Sequence, residues 1–340
     1  MSIRLSICIP TYNFGVFISE TLESIVSQAT PEIEIVVVDG ASTDNTFEVV
    51  TSFAKRFPRL RYHRLAKKGG IDKDMAESIA HANGDYCWIM SSDDVIRPGA
   101  IAKVLKLIDE GADVYVCGLI SCDFHMSPKY QEPILSADCD GMFDFNCVEE
   151  RHRYFKSGIS LAAYFSFCSS LIVSRCKWNM VDYDSKFDGS CWGHVARILG
   201  MMPHGMKVRY VHEAMLNKRG DNDSFLSNGA VNRVRIDVDG YNQLADTFFG
   251  RDSFESFNIR RVLREQTGIN HLFGLKMQSL RKGEQGHKKT LDRVVAQLYS
   301  DPIISNRIRW FAYKYTPSFV YRFVNFMYLP MKKVLGRLYS

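Results

Sequence analysis

The chain has 340 residues, 46% of them hydrophobic, with a formal net charge of +5 and nine cysteines. That length suits one large domain with an appendage, or two domains, and the composition suits a globular core. The cysteines (Cys8, Cys87, Cys117, Cys122, Cys139, Cys147, Cys168, Cys176, Cys191) are odd in number and form no Cys-x-x-Cys pair. This argues against a disulfide framework or a zinc site and for thiols in a reducing compartment. No stretch approaches the ~20 apolar residues of a spanning helix. Residues 3–10 are too short for a signal peptide and read as a strand, so the expectation is a cytoplasmic protein.

In chain order, residues 5–9 form an apolar strand stopped by Pro10, and 11–15 form a loop. Phe17, Leu22, Ile25 and Val26 then recur at helical spacing. Residues 33–38 are nearly all β-branched and apolar, as expected of a parallel strand buried on both faces. They end in Asp39-Gly40-Ala41-Ser42-Thr43-Asp44-Asn45-Thr46, where Asp44 or Thr43 is placed to cap a helix. A strand over 60–65, the basic turn Lys67-Lys68-Gly69-Gly70 and a helix over 71–82 follow. The apolar run 86–90 then stops abruptly at Ser91-Ser92-Asp93-Asp94. A helix over 101–108 and a strand over 114–120 complete an alternation that implies a doubly wound, mostly parallel α/β sheet.

The aspartates lie at the carboxyl end of a strand, where open α/β sheets bind ligands. Adjacent carboxylates repel, and a hard divalent ion carrying a diphosphate would relieve them. A turn capping the next helix is the alternative. Beyond residue 121 the pattern loosens. Residues 165–173 read as a strand, 191–199 as a helix, 207–211 as a short strand and 241–299 as helical. The expected division is a domain over 1–225, with a nucleotide-binding half 1–120 and an acceptor half 121–225, then a helical region over 226–340. Residues 302–340 hold seven Lys/Arg and ten aromatics but no Asp or Glu. That mixture suits an anionic membrane surface, or else a helix pair with a solvated basic rim. No Gly-x-Gly-x-x-Gly follows the first strand, which disfavours a dinucleotide dehydrogenase. No nucleic-acid recognition motif accompanies the modest charge.

Four features share one sheet edge: Pro10-Thr11-Tyr12-Asn13, Asp39 to Asp44, the turn from Gly70 to Met75, and Ser92-Asp93-Asp94. Together they resemble glycosyltransferase family 2, the inverting sugar transferases of GT-A fold, well over residues 4–120 and thinly to about 225. The resemblance implies a GT-A domain with a helical, basic-aromatic C-terminal region. It also implies transfer of a sugar from a nucleotide-diphospho-sugar to a hydroxyl of a glycan acceptor. Asp39 is implied at the nucleobase, where a carboxylate accepts from a ring N–H, or else in turn chemistry with Gly40. Pro10, Thr11 and Tyr12 would border the same pocket, with Asn13 there or in an ordinary turn. Asp72 is implied at the base or sugar and Lys73 at a phosphate, although Asp72 and Asp74 equally suit a helix N-terminus.

The family's metal motif is Asp-x-Asp, and here Ser92 stands first. Asp94 is implied as the ligand of Mn2+ or Mg2+, with Asp93 nearer the ribose or donor sugar. Inverting transfer needs a base, which the family draws from a Glu-Asp-type pair that is absent here. Asp188 is the candidate on chemistry and His194 on spacing, with packing beside Trp192 as the alternative for His194. Arg219 is placed to hold a phosphate or to sit on a solvated turn. The acceptor implied is linked to a polyprenyl diphosphate, as in O-antigen or capsule assembly, with the enzyme peripheral at the inner face of the plasma membrane. Residues 71–75 with 91–94 are similar to transferases of O-antigen branch sugars such as abequose. A nucleotidyltransferase and a degenerate sugar-nucleotide binder are the rival readings.

Overall fold

The run Ile35, Val36, Val37, Val38 has no exposed surface in the computed structural model, so neither face of its strand meets water. The structure describes residues 2–317. The tail from 318 on, where much of the membrane-surface expectation rests, lies outside the described residues. The chain divides into two compact units, Met1–Asp223 with Gln243–Val262, and Ser224–Asn242 with the chain from Leu263 on.

In the first unit β1 (Leu5–Thr11), α1 (Ile18–Val26), β2 (Ile33–Asp39), α2 (Thr46–Arg56), β3 (Leu60–Arg64), α3 (Ile71–Ala80) and β4 (Tyr86–Ile89) alternate as expected. There follow β5 (Val95–Ile96), α4 (Ala100–Leu107), β6 (Val114–Cys122), β7 (Pro128–Gln131), β8 (Gly141–Asp144), α5 (Val148–Ser157), β9 (Leu171–Ser174), α6 (Arg175–Asn179), α7 (Gly193–Leu199) and β10 (Lys207–Lys218). The sheet order is β3-β2-β1-β4-β9-β6-β10-β5, with β7 on β6 and β8 on β10. β3, β2, β1 and β4 run parallel, as do β6 and β10. The short β9 is inserted antiparallel between β4 and β6. Register sets Thr11 beside Asp39 and Asp39 beside Arg64, so three strand ends open on one edge.

The expected short strand over 207–211 extends to Lys218. Bulges near Val211 and Ala214 break its alternation, which hides the second half from a period-two reading. Gly118 permits the bulge, since a Cβ there would collide with the His212 carbonyl and lie 2.9 Å from that of Glu213. The later helices are α8 (Ala230–Phe248), α9 (Phe254–Thr267), α10 (Ile269–Lys282), α11 (Gln285–Leu298) and α12 (Ile304–Tyr315). Helix thus begins at Ala230, ahead of the expected 241, along the apolar repeat Val231, Val234, Val238, Tyr241. Within the second unit α12 packs on α10 and α11, and a buried Arg264–Asp301 ion pair spans 2.5 Å. Among the described residues no helix is long and apolar enough to cross a membrane.

Candidate active site

The loops after β1 and β2 are sewn together by side chains. Asn13, in the left-handed region at φ 57°, accepts the Thr43 amide on Oδ1 at 2.7 Å. Its own amide donates to Ser42 Oγ at 2.8 Å. Asp44 accepts the amides of Gly15 (2.9 Å) and Thr46 (3.1 Å), tying the first loop to the start of α2. Asp39 is fully buried. It accepts the Ser42 amide at 2.8 Å and the Tyr62 hydroxyl, so turn chemistry engages both of its oxygens while lone pairs remain. Tyr12 is half-buried, with the Lys68 ammonium 3.8 Å from its ring centroid. Asp74 joins this group: a Cβ at Gly40 would lie 2.7 Å from its Oδ2. Burial pushes the Asp74 carboxyl up, against the pull of the Gly69 amide and Lys68. Asp74 Oδ1 and Thr11 Oγ1 are buried without a well-formed hydrogen bond. Asp74, Tyr62 and Lys68 are site residues that the sequence reading misses; the available signal is Gly40 and Gly69, both of which pack against the Asp74 carboxylate.

At the end of β4 both aspartates are buried. Asp93 accepts the Ser91 hydroxyl on Oδ1 and the Asn222 amide on Oδ2 at 2.8 Å. Asp94 accepts the Ser169 hydroxyl at 2.6 Å and the Arg219 amide at 2.9 Å. Burial, and then the neighbouring charge of Asp93, push the Asp94 carboxyl up to about 7. Arg219 is buried rather than on a solvated turn. Its guanidinium donates to the Asp93 carbonyl (3.1 Å), the Phe124 carbonyl (2.6 Å) and Glu20 (2.8 Å) and lies 5.0 Å from the Phe17 ring centroid. It binds the loops around the carboxylate pair to α1. Among the described residues no three His, Cys, Asp or Glu side chains cluster to hold a metal ion by themselves.

The loop before α7 is clamped by Asp72 in the first turn of α3. The buried Asp72 carboxylate accepts the amides of Gly189 (2.9 Å), Cys191 (3.2 Å) and Gly193 (2.9 Å). Gly189 and Cys191 take positive φ values of 75° and 73°, turning successive amides toward one anion, as in a backbone nest. The next residue, Lys73, pairs with the exposed Asp188 at 3.0 Å. The Tyr183 hydroxyl and Lys73 together hold Asp188 below the usual carboxylate range. His194 is buried, and its Nε2 lies 3.0 Å from the Phe165 carbonyl, which can only accept, so that nitrogen carries hydrogen. Burial pushes the imidazole down to about 4, leaving it neutral.

The strand-end carboxylates and the clamped loop lie on an α/β sheet of mostly parallel strands, the architecture of GT-A glycosyltransferases. Residues 6–168 match the family model "Glycosyl transferase family 2". The abequosyltransferase RfbV of Salmonella typhimurium is 34% identical over 255 residues, 73% of this chain and 76% of that protein. The Campylobacter jejuni GalNAc(5)-diNAcBac-PP-undecaprenol beta-1,3-glucosyltransferase is 27% identical over 139 residues, 40% of this chain and 45% of that protein. The crystal structure of Staphylococcus aureus TarS 1-349 with UDP-GlcNAc shares the fold at TM-score 0.62 and 18% identity, over 94% of this chain and 92% of that one. The chain belongs to glycosyltransferase family 2 and is a glycosyltransferase.

Proposed function

We propose that this enzyme transfers a sugar, with inversion, from a nucleotide-diphospho-sugar to a hydroxyl of a glycan acceptor on a polyprenyl-diphosphate carrier, as in O-antigen assembly. It would do so at the anionic inner face of the plasma membrane. The relatives that act in abequosyl transfer and on a PP-undecaprenol glycan support the acceptor class. The basic, acid-free sequence after residue 301 supports the membrane.

The observation that carries the reading is the buried carboxylate pair, with Asp94 at about 7. An all-oxygen set crowded by like charge fits Mn2+ or Mg2+, ions that bind through one or two carboxylates plus substrate phosphates. Asp94 would hold the ion with Asp93 beside it, and when bound the ion supplies Lewis-acid stabilisation of the leaving diphosphate. Pro10, Thr11, Tyr12, Asn13 and Asp39 form the nucleoside pocket, where Tyr12 offers a ring face. Asp72 and Arg219 hold loops in place, and Lys73 positions Asp188.

Asp188 is the base. The acceptor oxygen attacks the anomeric carbon, its proton passes to Asp188, and the broken C–O bond's electrons leave with the nucleoside diphosphate. Asp188 is ionised and open to an acceptor, whose docking strips water and raises its basicity. His194 keeps its Nε2 hydrogen on the Phe165 carbonyl and lies in the core. Product analysis with sugar nucleotides and a polyprenyl-linked glycan tests the reading. Free nucleoside diphosphate with an inverted glycoside is expected. Pyrophosphate, or no product with any donor, would overturn it.

A further inference from the structure

Helix α12 has two unlike faces. Asn306 and Tyr313 are buried, and the Tyr313 hydroxyl donates to Asp292 at 2.9 Å on α11. On the opposite side Ile304, Ile308, Phe311 and Tyr315 are 76%, 63%, 60% and 54% exposed. At about 100° per residue these four fall within about 60° of arc. They form one continuous apolar stripe rather than the scattered apolar residues common on any surface.

Charge accompanies the stripe. Arg307 and Lys314 flank one border and Arg309 lies beyond the other, and no acid occurs from residue 302 to the end. The Lys314 ammonium lies over the Trp310 and Tyr315 rings, 4.5 and 5.3 Å from their centroids. It is thus poised to keep its stem on apolar surface while its charge reaches outward.

We infer that α12 is an interfacial helix that lies in the plane of an anionic bilayer. Its Ile304–Ile308–Phe311–Tyr315 stripe enters the acyl boundary, and Arg307, Arg309 and Lys314 meet lipid phosphates. Apolar burial and headgroup attraction act together in such helices, and neither alone gives firm attachment. The inference rests on the membrane reading proposed above and assigns it to one face of one helix. A second copy of the chain would want acids opposite these cations, and the covering surface would not depend on lipid charge.

The test is co-sedimentation of the full chain with vesicles of phosphatidylcholine alone or mixed with phosphatidylglycerol, repeated with the double variant I308E/F311E. The wild-type chain should bind the anionic vesicles, less at high salt, and the variant should bind at least about tenfold more weakly. Both replaced residues are exposed, so the melting temperature should not move. If the wild type binds neither vesicle, the membrane reading falls and this inference with it. If the wild type binds anionic vesicles and the variant binds equally well, the membrane reading stands and α12 is not the contact. If the variant instead converts a dimer to a monomer without changing vesicle binding, the stripe is a self-association surface and the inference is overturned.

Discussion

The carboxylates at the end of β4 and the carboxylate on the loop before α7 are built in opposite ways. Asp94 is buried beside Asp93, and its carboxyl is pushed up to about 7. Asp188 is exposed and is held low by Tyr183 and Lys73. Burial and the neighbouring charge disfavour ionisation of Asp94, whereas Asp188 stays charged and accessible. In the reading proposed above, the first station waits for cofactor and donor and the second is ready for the acceptor. The separation comes from burial and partners, since the residue type is the same.

Removing charge at the first station should have the largest effect. Asp94→Asn should lower metal-dependent turnover by about a thousandfold or more. In metal-free buffer the same variant should melt higher than wild type at pH 8. A raised carboxyl contributes stability below its unfolded value, and that contribution is lost as pH rises through about 7. The gain should be on the order of 1–3 kcal/mol and should vanish toward pH 4 in paired melting curves. Asp188→Asn should lower kcat by about a hundred- to ten-thousandfold and leave donor KM nearly unchanged. At saturating metal, where the bound ion keeps Asp94 ionised, the wild-type rate should show no acid-side ionisation near the ordinary histidine value, because Asp188 titrates below it. Asp72→Asn keeps the shape but weakens acceptance of three amides, so it should cost about 1–3 kcal/mol of stability and roughly tenfold in kcat. Rescue by Glu at that position would contradict the geometry of the clamp.

The smallest effect belongs to His194. A base depressed to about 4 contributes stability that is lost as pH falls from its unfolded value through about 4. Replacement by Gln should flatten that acid slope in pH-dependent melting without creating or removing an ionisation in kcat/KM.

What was legible in the sequence follows the same division. Asp39, Asp93 and Asp94 end apolar runs, and a parallel strand carries whatever follows it to one edge, so contiguous text sufficed. The Asp72 clamp joins residues 117 to 121 apart, and no local period records that. Arg219 reads as polar loop, because its burial is created by Glu20, Phe17 and Phe124 from distant stretches. The insertion of β9 between β4 and β6 is invisible for a related reason. Four residues returning after a long excursion pair where the sheet has room, and the fold decides that.

The β4 pair is proposed to hold a metal with a nucleoside diphosphate. A thermal-shift panel of UDP, dTDP, GDP and CDP, each with and without Mn2+, on wild type and Asp94→Asn tests it most directly, since a ligand of the native state raises the melting temperature by mass action. A shift selective for one base, enlarged by Mn2+ and lost in the variant is expected. A selective shift indifferent to Mn2+ and unchanged by Asp94→Asn would contradict it.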